Sequence, residues 1–141
     1  MKRREGAEKG AVVVESAMTL LLFFTVLMAI MEGGRFLNVQ QTLTNAAREG
    51  ARAAVAPLTQ TSTLASDAEI EAQVNTFLSA ARISGATVAV QRPILVQANG
   101  LPMEYTRVTV TVPYQVISLA AFSALSVNLT GEALMRNETS P

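Results

Sequence analysis

Residues 10–31, GAVVVESAMTLLLFFTVLMAIM, decide how the chain is organised: an apolar run broken by one carboxylate, Glu15. From Ala11 to Met31 there are 21 residues, and as a helix rising about 1.5 Å per residue they reach roughly 31 Å, the thickness of a bilayer's hydrocarbon core. The segment is long enough to span a membrane. A carboxylate well inside such a helix costs about 2.5 to 3.5 kcal/mol on insertion scales. Glu15 therefore either sits at headgroup level with access to water or finds a partner of opposite charge. In front of the run, residues 1–10 carry Lys2, Arg3, Arg4 and Lys9 against Glu5 and Glu8. That excess of positive charge predicts a cytoplasmic N-terminal end, with the bulk of the chain on the far side.

Composition removes several classes of function. The chain has 141 residues, 11 basic and 11 acidic, for a net charge of +0, so no basic stripe calls for nucleic acid. There is no Cys and no His, which excludes thiolate chemistry, imidazole bases and the commonest zinc ligands. Lys2 and Lys9 are the only lysines, and both precede the apolar run, which leaves the many serines and threonines without a base. No Gly-rich phosphate loop and no metal-ligand spacing is present. The sequence predicts neither enzyme nor cofactor. With residues 1–10 as a leader and 11–31 in the membrane, about 110 residues remain, enough for one modest core.

Beyond the apolar run, Gly33-Gly34 interrupts the helical pattern, each glycine costing about 1 kcal/mol relative to alanine. This pair reads either as a soft joint or as a close-packing site between helices. Glu32 and Arg35, three apart, can pair across it. From Phe36, the series Phe36, Val39, Leu43, Ala47, Gly50, Ala54 steps by three and four, with Asn38, Gln41, Asn45, Arg48, Glu49 and Arg52 on other faces. The helix is thus predicted to continue in amphipathic form over 35–56 and to stop at Pro57. Its apolar stripe becomes small toward the end, so whatever lies against it comes close. Arg48 and Arg52, one turn apart, form either a solvated face or a contact for a partner subunit.

Residues 57–141 then read as a separate head. Leu58 to Ala65 is a polar connector, and Ser66-x-x-Glu69 has the form of a capping box. Ile70, Val74, Phe77, Leu78 and Ala81 follow at helical spacing, predicting a helix packed on a sheet, with Phe77 among its core positions. Arg82 and Gly85 mark its end. The period then changes to two. Val88 and Val90 alternate in 87–91, and Val108, Val110, Val112 and Tyr114 alternate in 107–114. Asn99-Gly100 offers a hairpin turn, while Pro93 and Pro102 are expected to keep the arms short. Val116 to Ala124 is apolar without a clear period and reads either as a short helical turn or as a buried loop; it falls far short of the roughly 20 residues a second span needs. Val127, Leu129, Gly131, Ala133 and Met135 alternate as a third strand. The fold class read from these patterns is α+β: a long N-terminal helix, a second amphipathic helix, and a small antiparallel sheet of about three strands.

The segment Gly10, Ala11 to Val14, Glu15 and an apolar helix behind a short basic leader resembles the class III prepilin leader of type IV pilins. Glu32-Gly33-Gly34-Arg35-Phe36, followed by Gln40-Gln41 and by Asn45-Ala46-Ala47-Arg48-Glu49-Gly50-Ala51-Arg52, narrows the resemblance to the TadE-like pilins of tight-adherence (Tad) systems. The similarity is strong from Gly10 to about Pro57. Ser16 stands where the family usually has Phe or Tyr, and the apolar run lacks a proline the family often has. The resemblance implies cleavage after Gly10 by a prepilin peptidase, leaving Ala11 as the mature N-terminus and Glu15 as the fifth residue. It further implies that Glu15 pairs with the N-terminal amine of a neighbouring subunit, as a buried charge must be paired. Implied partners are the peptidase, other pilin subunits in a homo- or hetero-oligomeric filament, an inner-membrane assembly platform and membrane lipid, with Arg35, Arg48 and Arg52 as candidate subunit contacts. The implied location is the bacterial inner membrane before assembly and an extracytoplasmic filament afterwards. A second class of function fits the same layout: a single-pass anchored accessory protein whose exported head binds a partner.

Overall fold

The structure, a computed structural model, describes residues 2–56, 64–98, 101–116 and 126–137, with side chains from Lys9 onward except at 98, 101 and 102. The elements in chain order are helix α1 (Lys2–Val55), helix α2 (Asp67–Ala80) and strands β1 (Thr87–Ala98), β2 (Leu101–Gln115) and β3 (Ser126–Arg136). The chain divides into two compact units, Met1–Phe36 and Leu37–Pro141.

The first unit is the N-terminal part of α1. No proline occurs before Pro57, and Leu, Met and Ala, good helix formers, recur through the apolar run. The backbone stays helical through Gly33 and Gly34. Val12, Leu21, Leu22, Phe23, Ile30 and Met31 are all exposed within this unit, so the helix is apolar on every side and long enough to cross a membrane. Among the described residues, nothing within the unit covers these side chains.

The second unit is a helix-on-sheet core. β1, β2 and β3 form an antiparallel meander in that order. Alternation along β2 turns Val108, Val110, Val112 and Tyr114 to the helices, together with Leu129 and Ala133 of β3. Against them lie Leu43, Ala46, Ala47, Ala51 and Ala54 of α1 and Ile70, Val74 and Leu78 of α2. The small stripe of α1 has its reason here. A Cβ added at Gly50 would stand 2.6 Å from Val74 Cγ2 and 3.2 Å from Val108 Cγ1, so this glycine lets α1 touch both α2 and β2. At Gly131 the approach is of backbone to backbone. A Cβ there would stand 2.6 Å from the Thr44 amide nitrogen and closer still to the Leu43 carbonyl. Beside it, Gln40 Nε2 donates to the Thr130 carbonyl at 2.8 Å.

α2 begins with the capping box read from its sequence: the Ser66 amide donates to Glu69 Oε2 at 2.7 Å, and the Glu69 amide donates back to Ser66 Oγ at 3.3 Å. It ends at Ala81, after which Arg82 (φ 58°) and Gly85 (φ 74°) turn the chain with positive φ. Beyond the core, Thr106 Oγ1 donates to Asn137 Oδ1 at 2.7 Å, and the Asn137 amide donates to the Glu104 carbonyl at 2.9 Å. This buried link fastens the end of β3 to β2.

Several sequence expectations are corrected. Phe77 is 40% exposed and is not a core position. Ile70, Val74 and Leu78 fill the narrow strip of α2 that faces the sheet, which leaves Phe77 on its flank. Ala81, the C-cap, and Phe36 are exposed as well. β1 is longer than expected, because the ladder runs past Pro93 to the pair Ala98↔Leu101. The register shifts between Gln91 and Ile94, and that irregularity accommodates a residue with no N–H to give. The expected turn at Asn99-Gly100 lies outside the described residues, as do most of the connector before Ser66 and residues 117–125. Val116 itself is half-buried against the core.

Candidate functional site

Gly10, Ala11 and Glu15 occupy consecutive turns of α1, all exposed. Glu15 lies one turn beyond Ala11, and a shallow groove along this face is lined by Val12, Glu15, Ser16, Thr19, Leu20 and Phe23. The other polar side chains of the apolar run satisfy themselves within the helix. Ser16 Oγ donates to the Val12 carbonyl at 2.8 Å, Thr19 Oγ1 to the Glu15 carbonyl at 3.0 Å, and Thr25 Oγ1 to the Leu21 carbonyl at 2.8 Å. A hydroxyl can do this because it both donates and sits close to the preceding turn. A carboxylate cannot donate, and the backbone N–H groups nearby are already used by the helix. Among the described residues, the Glu15 side chain has no hydrogen-bond or ion-pair partner.

Gly33 and Gly34 are also exposed, and a Cβ at either would meet nothing within 4 Å. The space beside them is therefore open to another molecule rather than filled by this chain. Arg35 and Glu32 form an i,i+3 ion pair at 3.7 Å. It neutralises the two charges that follow the apolar run.

Arg48 and Arg52 project from the exposed side of α1 in the second unit. Arg48 borders a polar groove with Gln40, Gln41, Thr44 and Asn45. Arg52 borders another with Glu49, Glu69 and Gln73, in which Gln73 Nε2 donates to Glu49 Oε1 at 3.1 Å. The two acidic groups of that groove have hydrogen-bond partners, Glu49 in Gln73 of the same groove and Glu69 in Ser66. The hydrogen bonds from the Ser66 side chain and backbone hold the Glu69 carboxyl below the usual glutamate range. Among the described residues no cluster of carboxylates could hold a metal ion.

Two positions that set how α1 packs in the second unit escaped the sequence reading. Gln40 seats α1 on β3, and Gly131 gives it room to do so. The only sequence signal for either was a glycine on the inward face of a strand, which marks close backbone approach.

Comparison with curated proteins and with solved structures gives no match for the chain. A family model does match, and every candidate residue from Gly10 to Arg52 lies within it: residues 10–52 are similar to the TadE-like protein family.

Proposed function

We propose that the protein is a pilin-like structural subunit of a Tad or type IV-type filament, processed after Gly10 and assembled through its N-terminal helix. The TadE-like segment and the apolar helix support a membrane-anchored, pilus-associated component. One observation carries the finer reading: a single carboxylate without a partner, one helical turn beyond Ala11, on a helix whose other polar side chains are satisfied internally. Cleavage after Gly10 creates an amine at Ala11. When helices of neighbouring subunits pack together and exclude water, that amine on one copy neutralises Glu15 on the next, since two charges leave water together only as a pair. The same pairing fixes the stagger of adjacent helices, as a lone polar contact fixes register in a coiled coil. Arg35, Arg48 and Arg52 then serve as contacts between subunits, and Gly33-Gly34 as the place where neighbouring helices approach or where α1 yields on leaving the bilayer. A prepilin peptidase, an inner-membrane platform and membrane lipid are the partners this route requires.

The test has two parts. Mass spectrometry of the membrane or filament form should show a chain starting at Ala11, and Gly10 replaced by a bulky residue should leave the longer form. Glu15→Gln should reach the membrane in normal amount, because an amide is easier to insert than a carboxylate. It should fail to enter filaments, because the amine becomes the uncompensated charge, a loss of about 3 to 5 kcal/mol. Normal assembly of that variant contradicts the pairing. A mature terminus after Ala29 or Gly34 instead marks an ordinary signal peptide and ends the pilin reading.

A further inference from the structure

The groove that runs along α1 from Val12 to Phe23 is lined by Glu15, Ser16 and Thr19 among apolar neighbours, and all three polar side chains are exposed. Thr19 stands four residues after Glu15 and three after Ser16. At these spacings side chains share one helix face, with Cβ atoms about 5 to 6 Å apart. The two hydroxyls and the carboxylate therefore form one polar spot in an otherwise apolar groove.

The hydrogen bonds within the helix decide what that spot can receive. A hydroxyl has one hydrogen to give and two lone pairs with which to accept. Ser16 gives its hydrogen to the Val12 carbonyl at 2.8 Å, and Thr19 gives its own to the Glu15 carbonyl at 3.0 Å. An ionised Glu15 has none to give. The spot thus presents acceptors and no donor. Another acceptor brought against it would meet only lone pairs, whereas an ammonium, with three hydrogens and no lone pair, is its complement.

We propose that Ser16 and Thr19 complete, with Glu15, a three-oxygen seat for the Ala11 ammonium of a second copy. The carboxylate neutralises the charge and accepts one hydrogen, and the two hydroxyl oxygens accept the others. The inference rests on the filament reading, which supplies both the free amine and the neighbouring copy. Charge identifies the occupant. Residues 11–34 hold no charged side chain except Glu15 and Glu32, so on a processed copy packed in parallel the terminal amine is the only cation ahead of Arg35. Arg35 lies 16 residues beyond Thr19, about 24 Å along the helix. Between packed helices no water completes the shell of that amine, and hydrogens left unmet on a buried charge are costly. Both hydroxyl bonds end on carbonyls beyond Gly10, so cleavage there leaves their acceptors in the chain.

The test uses the full chain in its own cell. Parent and variant are co-expressed under different tags, and their ratio in sheared filaments is compared with their ratio in membranes. Thr19→Val keeps the shape of the side chain and removes its oxygen, and Ser16→Ala likewise removes the other. Each should be processed to Ala11 and reach the membrane as the parent does, yet enter filaments about tenfold less. Thr19→Ser, which keeps the oxygen, should restore the parental ratio. Thr25→Val is the control, because Thr25 makes the same bond, to the Leu21 carbonyl at 2.8 Å, outside the groove; it should enter filaments normally. Parental entry of either Thr19→Val or Ser16→Ala, or an equal loss in Thr25→Val, overturns the seat. Glu15→Gln in the same assay separates the two ideas. If it is excluded while Thr19→Val and Ser16→Ala enter normally, the pairing stands and the seat falls; if it enters normally, the pairing falls and the seat with it.

Discussion

Replacing Gly131 by alanine tests the contact on which the second unit is built. The added methyl would stand 2.6 Å from the Thr44 nitrogen and closer to the Leu43 carbonyl, where ordinary contact is about 3.5 to 4.0 Å. α1 and β3 must therefore separate by about 1 Å locally. No side chain can rotate to relieve this, because the obstructing atoms are helix backbone. Overpacking of this kind costs about 1 to 3 kcal/mol, against which alanine recovers about 0.5 to 1 kcal/mol as the better strand residue. The clash wins, and the separation also stretches the Gln40 to Thr130 bond. A fragment beginning at Arg35 keeps every residue of the core cluster. Followed by far-UV circular dichroism, its Gly131→Ala form should melt roughly 4 to 12 °C below the parent. Gly50→Ala is the matched control: its methyl meets the Val74 and Val108 side chains, which can shift, and it gains about 1 kcal/mol of helix propensity. It should lose less than Gly131→Ala. An unchanged or raised midpoint for Gly131→Ala would refute the seating of α1 on β3.

In the same fragment, Leu78→Ala should cost about 2 to 5 kcal/mol by emptying a buried site, while the exposed Phe77→Ala should cost well under that; equal losses in urea titrations would contradict the orientation of α2. Ser66→Ala should destabilise by about 1 kcal/mol through loss of the cap. Because the Ser66 bonds lower the Glu69 pKa in the folded state, their contribution is complete above the ordinary glutamate value of about 4.3 and fades as pH falls through the lowered one. Parent and Ser66→Ala midpoints should thus converge in acid, and a gap that widens there would count against the capping box as its source.

The elements were legible in the sequence because each has a strong local signature. The period-two alternation of Val108 to Tyr114, the Ser66 to Glu69 box and the apolar run each depend on neighbours a few residues away. The diminishing stripe of α1 announced a close approach, and Gly50 supplies it against Val74 and Val108. What sequence could not supply was the identity of distant partners. Gly131 meets Leu43, Gln40 meets Thr130, and Asn137 meets Thr106, pairs whose members read separately as an ordinary strand glycine, a helix-surface amide and a residue beyond the last strand. Phe77 was misplaced because helical spacing fixes an angle around the axis and not the width of the strip a sheet can cover. Pro93 was expected to help keep the hairpin arms short, whereas a register shift carries the ladder past it. At the candidate site, the closeness of Gly10, Ala11 and Glu15 was legible in the sequence because they lie within two turns of one helix.

Within the second unit, residues 43–54 of α1 form one side of the core. A pull along this stretch reaches the sheet where Leu43 rests on Gly131, as a sliding load across a backbone contact rather than a peeling load on one strand. If the stretch slips, Val108, Val110 and Leu129 lose their cover together.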